Sequence, residues 1–253
     1  MNLMLIEPDE LTHDDTVRLS GLRLRHLREV LRVASGATLR VGLVDGPRGT
    51  AVVRAIDGDV AELECTFDAA VPVRPAVDLV LALPRPKVMR RLFAQIAALG
   101  VGRIILTNAA RVERDYFDAH VLSPAAYRPL LIEGLQQARD TRLPTVTIHR
   151  QFRILIEDDL DTLVPDGVRL VAQPGDAPSI AQQAAASAPG RLVLAVGPEG
   201  GWNEFELTLM KQHGFLPISL GTRTLRSDTA CVALLTLAHE GLRGDAHPRR
   251  VAV

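Results

Sequence analysis

The sequence predicts an α/β protein of two parts, a small β-barrel followed by an α/β domain with a parallel sheet. Short β-like segments with Asp-Gly turns occupy the first part, and strands that alternate with helices occupy the second. Between them, residues 71–75 contain two prolines, which cannot join a strand ladder or a helix interior, so we expect a linker there. The predicted domains are therefore residues 1–70 and residues 76–245.

The composition is typical of globular proteins and excludes several other classes. Of 253 residues, 47% are hydrophobic and 23% are charged, which is too apolar for a disordered chain. The longest apolar stretch, residues 230–238, is far shorter than the ~20 residues that a membrane span needs. Residues 1–8 carry no secretory signal pattern. We therefore expect a cytoplasmic protein without a membrane partner.

Charge and cysteine content limit the expected partners and metals. The net charge is −1, so the surface as a whole is not that of a polyanion binder. The chain has two cysteines, Cys65 and Cys231, which are too few for a disulfide framework or a four-ligand zinc site. We expect two buried thiols in a reducing compartment and no bound metal.

The first part of the chain predicts one short helix and three strands. Residues 23–31 place Leu24, Leu27 and Leu31 at helical spacing. Strands are predicted at 38–44, 50–56 and 60–67, with turns at 45–47 and 57–59. Short strands at regular spacing with Asp-Gly turns are typical of a small antiparallel barrel.

The second part predicts alternating strands and helices. The strands are expected at 77–83, 103–107, 168–172, 192–196 and 216–220, and the helices at 87–99, 124–139, 180–188, 203–213 and 228–240. Gly100 and Gly214 are placed to end helices, and Asn203 and Glu206 have the spacing of a capping box. Strands with unbroken apolar runs predict a parallel sheet that is covered on both faces.

One candidate binding loop is Gly197-Pro198-Glu199-Gly200-Gly201, which follows a predicted strand and precedes a predicted helix. Ligands of α/β sheets bind beyond the carboxyl ends of strands. Three glycines and a proline make a rigid turn with exposed backbone amides, and the helix start adds partial positive charge. The loop could bind a carboxylate, a phosphate or a flat polar ring, or it could be only a tight turn. It matches neither the GxGxxG nor the Walker pattern.

A second candidate loop, residues 220–230, carries arginines, an acid and several hydroxyls ahead of a very apolar helix. Asp228 is placed to cap that helix. Arg226 has no such role by position, because an arginine near a helix start opposes the helix dipole. An anionic ligand, an acidic partner or an RNA phosphate would compensate for this unfavourable interaction with the dipole. The alternative interpretation is that Arg226 is an ordinary surface arginine. Both loops follow late strands, so we expect them to face one crevice.

Together the two loops resemble the signature of a known family. The loop 197–201, followed by Leu220-Gly221 and by the run Leu225-Arg226-Ser227-Asp228-Thr229-Ala230, is similar to the paired motifs of the RsmE family. These are bacterial ribosomal RNA uridine N3-methyltransferases of the SPOUT class. The likeness extends over most of the chain, through residues 26–33, 99–101 and 136–137.

The resemblance implies a fold, a cofactor and a substrate. Residues 1–70 would form a PUA-like β-barrel, and residues 76–245 a SPOUT α/β domain with a deep trefoil knot. The protein would be a homodimer that binds S-adenosyl-L-methionine in the knot. It would methylate N3 of a uridine in the 16S ribosomal RNA of the small subunit, and no metal is implied.

The resemblance also implies site residues. Backbone groups around the cofactor would come from three segments: Ala172, Gln173, Pro174, Gly197, Pro198, Glu199, Gly200, Gly201, Leu220, Gly221 and Leu225. Arg226 would face the uridine and stabilise negative charge on its carbonyl oxygens. Asp228 and Thr229 would orient Arg226 or the base, and Asp228 could instead act as a general base.

RNA binding would need a local basic surface, since the net charge supplies none. The densest early cluster contains Arg23, Arg25, Arg28 and Arg32, of which the last three follow helical spacing. A second cluster contains Lys87, Arg90 and Arg91. For either cluster, a solvated helix face is the alternative.

The chain departs from the family pattern at two places. Asp228-Thr229 stands where the family usually has Glu-Thr, and residues 137–140, Gln-Ala-Arg-Asp, stand where many members have Gln-Ser/Cys-Gly-Arg. The second departure leaves the RNA target open. The alternatives are a SPOUT methyltransferase of another RNA, such as transfer RNA, a non-catalytic RNA-binding protein of this fold, and an enzyme whose glycine loop binds phosphate.

Overall fold

A computed structural model describes residues 3–187 and 190–243 of the chain. The chain folds into two units. Unit 1 contains the residues up to Arg74 and the segment Ile132–Leu143, and unit 2 contains Pro75–Leu131 and the residues from Pro144 onward. The predicted domains 1–70 and 76–245 did not anticipate that residues 132–143 belong with unit 1. Residues 244 and 245 of the second predicted domain lie outside the described residues.

Unit 1 is built on a five-stranded sheet. Its strands are β1 (Met4–Ile6), β2 (Thr16–Leu19), β3 (Thr38–Leu43), β4 (Arg48–Asp57) and β5 (Val60–Phe67), in the order β1-β3-β4-β5-β2. The three predicted strands are confirmed, whereas β1 and β2 are too short to be distinguished by their sequence pattern. Alternate residues of β5, namely Ala61, Leu63 and Cys65, are buried in the core of the unit. Burial raises the pKa of the Cys65 thiol to about 11.

The sheet of unit 1 is mixed, so the prediction of an antiparallel sheet is wrong for one strand. β1 runs parallel to β3, and the other pairs are antiparallel. The parallel pair is possible because the chain between β1 and β3 forms a long connection that contains β2 and a helix. In the part of the chain that the structure describes, the edge strands β1 and β2 are not paired with each other. Closure into a PUA-like barrel stays a prediction.

The helix predicted at 23–31 begins earlier and changes type. Helix α1 (Gly21–Arg25) continues into a π-helical turn, His26–Val30. Leu24 and Leu27 are buried as expected. The π-helical turn has more residues per turn than an α-helix, so the spacing assumed for the arginines does not hold beyond Arg25.

Thr141 explains why the segment Ile132–Leu143 belongs to unit 1. Its buried side chain donates a hydrogen bond from Oγ1 to the carbonyl of Gly46 at 2.6 Å, and its own carbonyl accepts the N–H of Asp45 at 2.7 Å. Its methyl group lies so close to β3 that a Cβ at Gly42 would be 2.6 Å from it. The segment is therefore bonded and packed to the β3–β4 hairpin, which its sequence pattern could not indicate.

Unit 2 is built on a six-stranded sheet that is entirely parallel, as predicted. Its strands are β6 (Val77–Ala82), β7 (Arg103–Thr107), β8 (Thr145–His149), β9 (Val168–Ala172), β10 (Leu192–Val196) and β11 (Phe215–Ile218), in the order β11-β9-β10-β6-β7-β8. Every residue of β6 and β10 is buried, and apart from Asp78 of β6 all of them are apolar. The edge strand β8 was not predicted, because its residues are mostly half-exposed and polar.

Helices connect these strands. They are α2 (Pro86–Leu99), α3 (Pro124–Ala138), α4 (Phe152–Ile154), α5 (Leu160–Leu163), α6 (Ile180–Ser187), α7 (Glu204–Gln212) and α8 (Ser227–Arg243). Gly100 ends α2 with a φ of 83°, as predicted, and a π-helical turn, Leu155–Asp159, joins α4 to α5. Residue 188 of the predicted sixth helix lies outside the described residues. None of the helices described is long and apolar enough to cross a membrane.

Helix α3 ends at an unusual backbone conformation. Arg139, the next residue, has a φ of 59°, in the left-handed region that glycine adopts most easily. Many members of the resembled family have glycine at this position. The conformation therefore fits the family pattern although the side chain does not.

A buried carboxylate links the three central strands of unit 2. Asp78 of β6 is fully buried, and its Oδ2 accepts hydrogen bonds from Nη1 of Arg103 at 3.1 Å and from Nη1 of Arg191 at 2.7 Å. Arg103 begins β7 and Arg191 immediately precedes β10, the two neighbours of β6. The carboxylate thus neutralises two cations that would otherwise repel each other at the amino edge of the sheet.

Replacing Asp78 with asparagine should destabilise unit 2 by about 2–3 kcal/mol, less than for a fully buried pair because both arginines are partly exposed. Urea unfolding measures the change. As a control, Asp118→Asn removes an exposed ion pair with Arg150 and should cost less than about 1 kcal/mol. Equal losses for the two variants would contradict a structural role for Asp78.

Candidate functional site

Three loops of unit 2 surround a cavity at the carboxyl edge of the sheet. They follow β9, β10 and β11, which are neighbours in the sheet, so their ends meet at one place. The cavity has a volume of about 580 Å³, including its open mouth.

The loop after β10 is shaped by a tight turn and a helix cap. The N–H of Gly201, whose φ is 73°, donates to the carbonyl of Pro198 at 2.8 Å. Asn203 then caps α7. Its Oδ1 accepts the N–H of Glu206 and its own N–H donates to Glu206 Oε2, both at 2.8 Å, which confirms the predicted capping box. The amides of the turn and the positive end of α7 therefore lie at the same place.

The loops after β9 and β11 are joined by backbone hydrogen bonds. The N–H of Gln173 donates to the carbonyl of Ile218 at 3.0 Å, and the N–H of Gly175 donates to the carbonyl of Gly221 at 3.3 Å. Gly221 has a φ of 101°, and a Cβ built on it would meet no atom within 4 Å. Since Gly221 lines the cavity, a side chain at this position would enter open space at the site.

The start of α8 forms another wall of the cavity. The helix begins at Ser227, whose buried Oγ donates to the carbonyl of Gly197 at 3.4 Å. Asp228 lies within the first turn, two residues after the N-cap position, so its predicted capping position is wrong. Its Oδ1 still accepts a free amide of that turn, the N–H of Thr229, at 2.9 Å.

Ten of the eleven residues predicted to surround a cofactor line this single cavity: Ala172, Gln173, Pro174, Gly197, Pro198, Glu199, Gly201, Leu220, Gly221 and Leu225. Gly200 does not line it, because its Cα faces the side chain of Arg111, where a Cβ would lie 2.7 Å from Cδ. The cavity also includes residues that were not assigned to the cofactor: Arg223, Thr224, Ser227 and Ala230 of the second candidate loop, and Val196 and Leu234 outside both loops. Each is close in sequence to a predicted residue, which was the only available signal.

The predicted catalytic residues lie beside the cavity and do not line it. Arg226 is exposed, and its guanidinium makes no hydrogen bond or ion pair with any residue that the structure describes. Asp228 Oδ2 instead pairs with Nη2 of Arg91 at 3.2 Å. The side chain of Thr229 is exposed. Asp228 and Arg226 are therefore separated by Ser227, and no hydrogen bond or ion pair joins their side chains in the described structure.

The predicted RNA-binding arginines of unit 1 differ in their surroundings. Arg23 is half-buried and paired with Glu10, and Arg28 is exposed and donates to the carbonyl of Gly58. Arg25 and Arg32 are exposed and make no hydrogen bond or ion pair with the described residues. The π-helical turn separates them, so the four do not follow one α-helical face. In the second predicted cluster, Arg91 is occupied by Asp228.

A clamp, made of Arg111 and Glu206, holds the glycine-rich loop. Glu206 is only 3% exposed, and its Oε1 accepts the N–H of Ala110 at 2.6 Å while Oε2 accepts the N–H of Asn203. Arg111 donates from Nη1 to the carbonyls of Gly200 and Gly201. The loop after β7 is thus bonded to the loop after β10, although β6 lies between these strands. The sequence analysis missed Arg111, since its partners are backbone atoms far away in the chain.

The cavity suits a ligand with flat and apolar parts and a few polar edges. Its lining residues include three leucines and three glycines, and Glu199 and Arg223 supply charged groups. Cys231, one residue along α8 from the lining Ala230, is fully buried, and burial raises the pKa of its thiol. Among the described residues, no group of three or more His, Cys, Asp or Glu side chains is arranged to hold a metal.

Comparisons with known proteins agree with this geometry. The family model of the RNA methyltransferase domain matches residues 72–239. A protein of Treponema pallidum named ribosomal RNA small subunit methyltransferase E is 29% identical over 266 residues, which cover 98% of this chain and 96% of that protein. A protein of the same name from Synechocystis is 27% identical over 231 residues, which cover 90% of this chain and 73% of that protein.

A solved structure shows the same fold. The ribosomal RNA small subunit methyltransferase E of Neisseria gonorrhoeae, crystallised with S-adenosyl methionine, matches with a TM-score of 0.77. The match covers 95% of this chain and 97% of that chain at 24% sequence identity.

The clamp predicts a local effect of Arg111→Ala. Loss of the two bonds to the glycine-rich loop should speed amide hydrogen exchange in residues 197–203 about ten-fold, with little change in global stability. Mass spectrometry of peptides from exchanged protein measures this. Arg114→Ala is the control, because this nearby exposed arginine does not bond to the loop. Unchanged exchange in Arg111→Ala would show that the loop keeps its shape without the clamp.

Proposed function

The chain belongs to the RNA methyltransferase domain family, and we propose that it transfers a methyl group from S-adenosyl-L-methionine to N3 of a uridine in 16S ribosomal RNA. The name shared by its relatives, ribosomal RNA small subunit methyltransferase, supports the substrate. The observation that carries the proposal is the cavity, because ten of the eleven residues that the resemblance assigns to the cofactor line it together.

The residues of the cavity fit this cofactor. Leu220, Leu225 and Leu234 provide apolar contacts for a flat ring, and neighbouring backbone groups can bond to its polar edge. Gly221 leaves open the space that a side chain would fill. The cofactor would be held by residues 172–174, 197–199, 201, 220–221 and 225. When bound, it supplies an electrophilic methyl group for in-line transfer.

Arg226 is assigned the catalytic role at the uridine. Methylation removes the N3 proton, and negative charge then spreads to the two carbonyl oxygens of the base. A guanidinium stabilises such charge with two donors in fixed geometry. Arg226 is available for this role because, within the described structure, its guanidinium has no other partner.

Asp228 and Thr229 are assigned positioning roles. Both oxygens of the Asp228 carboxylate are engaged, one by Arg91 and one by the N–H of Thr229. These bonds hold the first turn of α8. The backbone of Arg226 is attached to the same turn, because its carbonyl accepts the N–H of Ala230 at 2.8 Å. Because both of its oxygens already accept hydrogen bonds, we assign Asp228 a positioning role and not that of the general base that removes the N3 proton.

The same proposal includes the finer features that the family resemblance implies. These are a trefoil knot in unit 2, a PUA-like barrel in unit 1, a homodimer and a cytoplasmic location, where ribosomal RNA is found. Two observations support the knot: β10 lies between β9 and β6, and the start of α8 bonds back to the loop after β10 through Ser227. Unit 1 would bind RNA through Arg25 and Arg32, with Arg23 and Arg28 beside them.

Methylation of 16S ribosomal RNA with labelled cofactor tests the function, and calorimetric titration tests the cofactor. Arg226→Ala should lower kcat about 10²–10³-fold, because one charge-stabilising donor group is lost. Its affinity for S-adenosyl-L-methionine should stay within about two-fold of the wild type. Arg226→Lys, which keeps the charge without the paired donors, should recover part of the rate.

Any of three results would contradict these assignments. A fall in cofactor affinity equal to the fall in kcat would place Arg226 in the cofactor site. Binding of the cofactor without methylation of any RNA would favour the non-catalytic alternative, and methylation of transfer RNA in place of ribosomal RNA would identify another target.

The arginines of unit 1 predict a salt-dependent effect. Arg25→Gln should weaken RNA binding and reduce the slope of log affinity against log salt by about 0.7–0.9, the value for one phosphate contact. Arg54→Gln is a matched control, since Arg54 is exposed but already paired with Glu64. Filter binding at several salt concentrations measures both slopes, and equal slopes would assign Arg25 to an ordinary solvated surface.

A further inference from the structure

A second concavity lies at the carboxyl edge of unit 2, beyond β7 and β8. Its volume is about 880 Å³, including its open mouth. Its arginines are Arg114, from the segment after β7, and Arg150 and Arg153, from the segment after β8. We call it the arginine groove. None of these three residues belongs to the basic clusters that the sequence predicts.

The cations of the arginine groove are only partly neutralised. Arg114 is exposed and makes no bond with the described residues. Arg153 uses only Nε, which donates to Glu157 at 2.8 Å. Arg150 uses Nη2, which bonds to Asp118 at 2.7 Å and to the carbonyl of Phe117 at 3.1 Å. Of the described residues that line the groove, three are arginines and none is an acid.

The floor of the groove is apolar and its other polar groups can donate. Phe117 and Phe152 are buried beneath it, and the guanidinium of Arg150 lies 5.7 Å from the centroid of the Phe117 ring. Asn108 accepts the N–H of Ala109 through Oδ1, which leaves its NH2 group for a ligand. Partly neutralised cations and hydrogen-bond donors above an apolar floor suit a ligand that is flat, negatively charged and rich in acceptors, which describes a nucleotide.

The arginine groove and the cofactor cavity share a wall. Phe152, in the floor of the groove, packs against Trp202, with ring centroids 5.4 Å apart. Trp202 in turn packs against the backbone of Gly197, where a Cβ would lie 3.0 Å from the indole Nε1. Gly197 lines the cavity. Two aromatic rings therefore separate the groove from the cavity, and both open at the same edge of the parallel sheet.

We propose that the arginine groove binds a nucleotide of the substrate RNA that neighbours the target uridine, with its phosphate on Arg114 and Arg153. This inference rests on the proposed function, which requires a polyanionic substrate at that sheet edge. It adds a contact in unit 2 that is independent of the arginines of unit 1. Because the net charge of the chain is −1, affinity for RNA must come from local surfaces of this kind.

The double variant Arg114→Gln/Arg153→Gln tests the proposal, with Arg150 left in place because its bonds to Asp118 and Phe117 hold the groove together. The KM for RNA should rise about ten-fold, while kcat at saturating RNA and the affinity for S-adenosyl-L-methionine should change little. The slope of log RNA affinity against log salt should fall by about 0.7, the value for one phosphate contact on a single strand.

A matched control removes the same charge elsewhere. Lys211 is an exposed cation in the last turn of α7, which precedes β11 and therefore lies at the amino edge of the sheet. Arg54 is the exposed arginine of unit 1 that is paired with Glu64. Lys211→Gln/Arg54→Gln should leave the KM near the wild-type value. Photocrosslinking of RNA with 4-thiouridine beside the target should label peptides that contain Phe117 or Phe152 in the wild type and should label them less in the groove variant.

Several results would overturn the proposal. They are an unchanged KM and salt slope in the groove variant, an equal effect of the control variant, and a fall in kcat at constant KM. A fourth such result is that the groove variant binds free uridine monophosphate more weakly but binds RNA as well as the wild type does, because the groove would then be a site for a small anion. If the wild type does not methylate RNA, the proposed function is refuted instead. The groove can then still be tested by comparing the direct RNA binding of the wild type and the groove variant without cofactor.

Discussion

Glu206 holds two distant loops together through one buried carboxylate, with the N–H of Ala110 on one oxygen and the N–H of Asn203 on the other. Both amides lie where secondary structure leaves backbone donors without partners, so the carboxylate satisfies them and fixes their separation. The glycine-rich loop is anchored at its end by this contact and along its length by Arg111. Its anchored position in turn determines one wall of the cofactor cavity and, through Trp202, one wall of the arginine groove.

The sequence analysis succeeded where function depends on backbone at the ends of buried strands. Such strands have continuous apolar runs, and a glycine-rich turn after one of them marks a site without knowledge of any distant contact. This is why ten of the predicted cofactor residues line one cavity. Gly200 was the exception, because the reason for a glycine there is the side chain of Arg111, which is 89 residues away in the chain.

Features that depend on long-range contacts were not predictable. The edge strand β8 lacks an apolar run, and the segment from α4 to α5 is broken by a π-helical turn. Regular helical spacing suggested one arginine face in unit 1, but another π-helical turn and the pair between Arg23 and Glu10 divide it. Asp228 was expected beside Arg226, yet Arg91, on a helix that is far away in sequence, is its partner. For Arg23 and Asp228, a tertiary ion pair overrode the local pattern.

The assignment of Ile132–Leu143 to unit 1 has a consequence for the modularity of the gene. The chain passes between the units at residues 74–75, 131–132 and 143–144, so no single cut separates them. A fragment that starts at Pro75 would carry part of unit 1 without its partners, and Thr141 would lose its bonds to the β3–β4 hairpin. Recombination at a single point in the gene therefore cannot exchange one complete unit for another. We expect the two units to be inherited together.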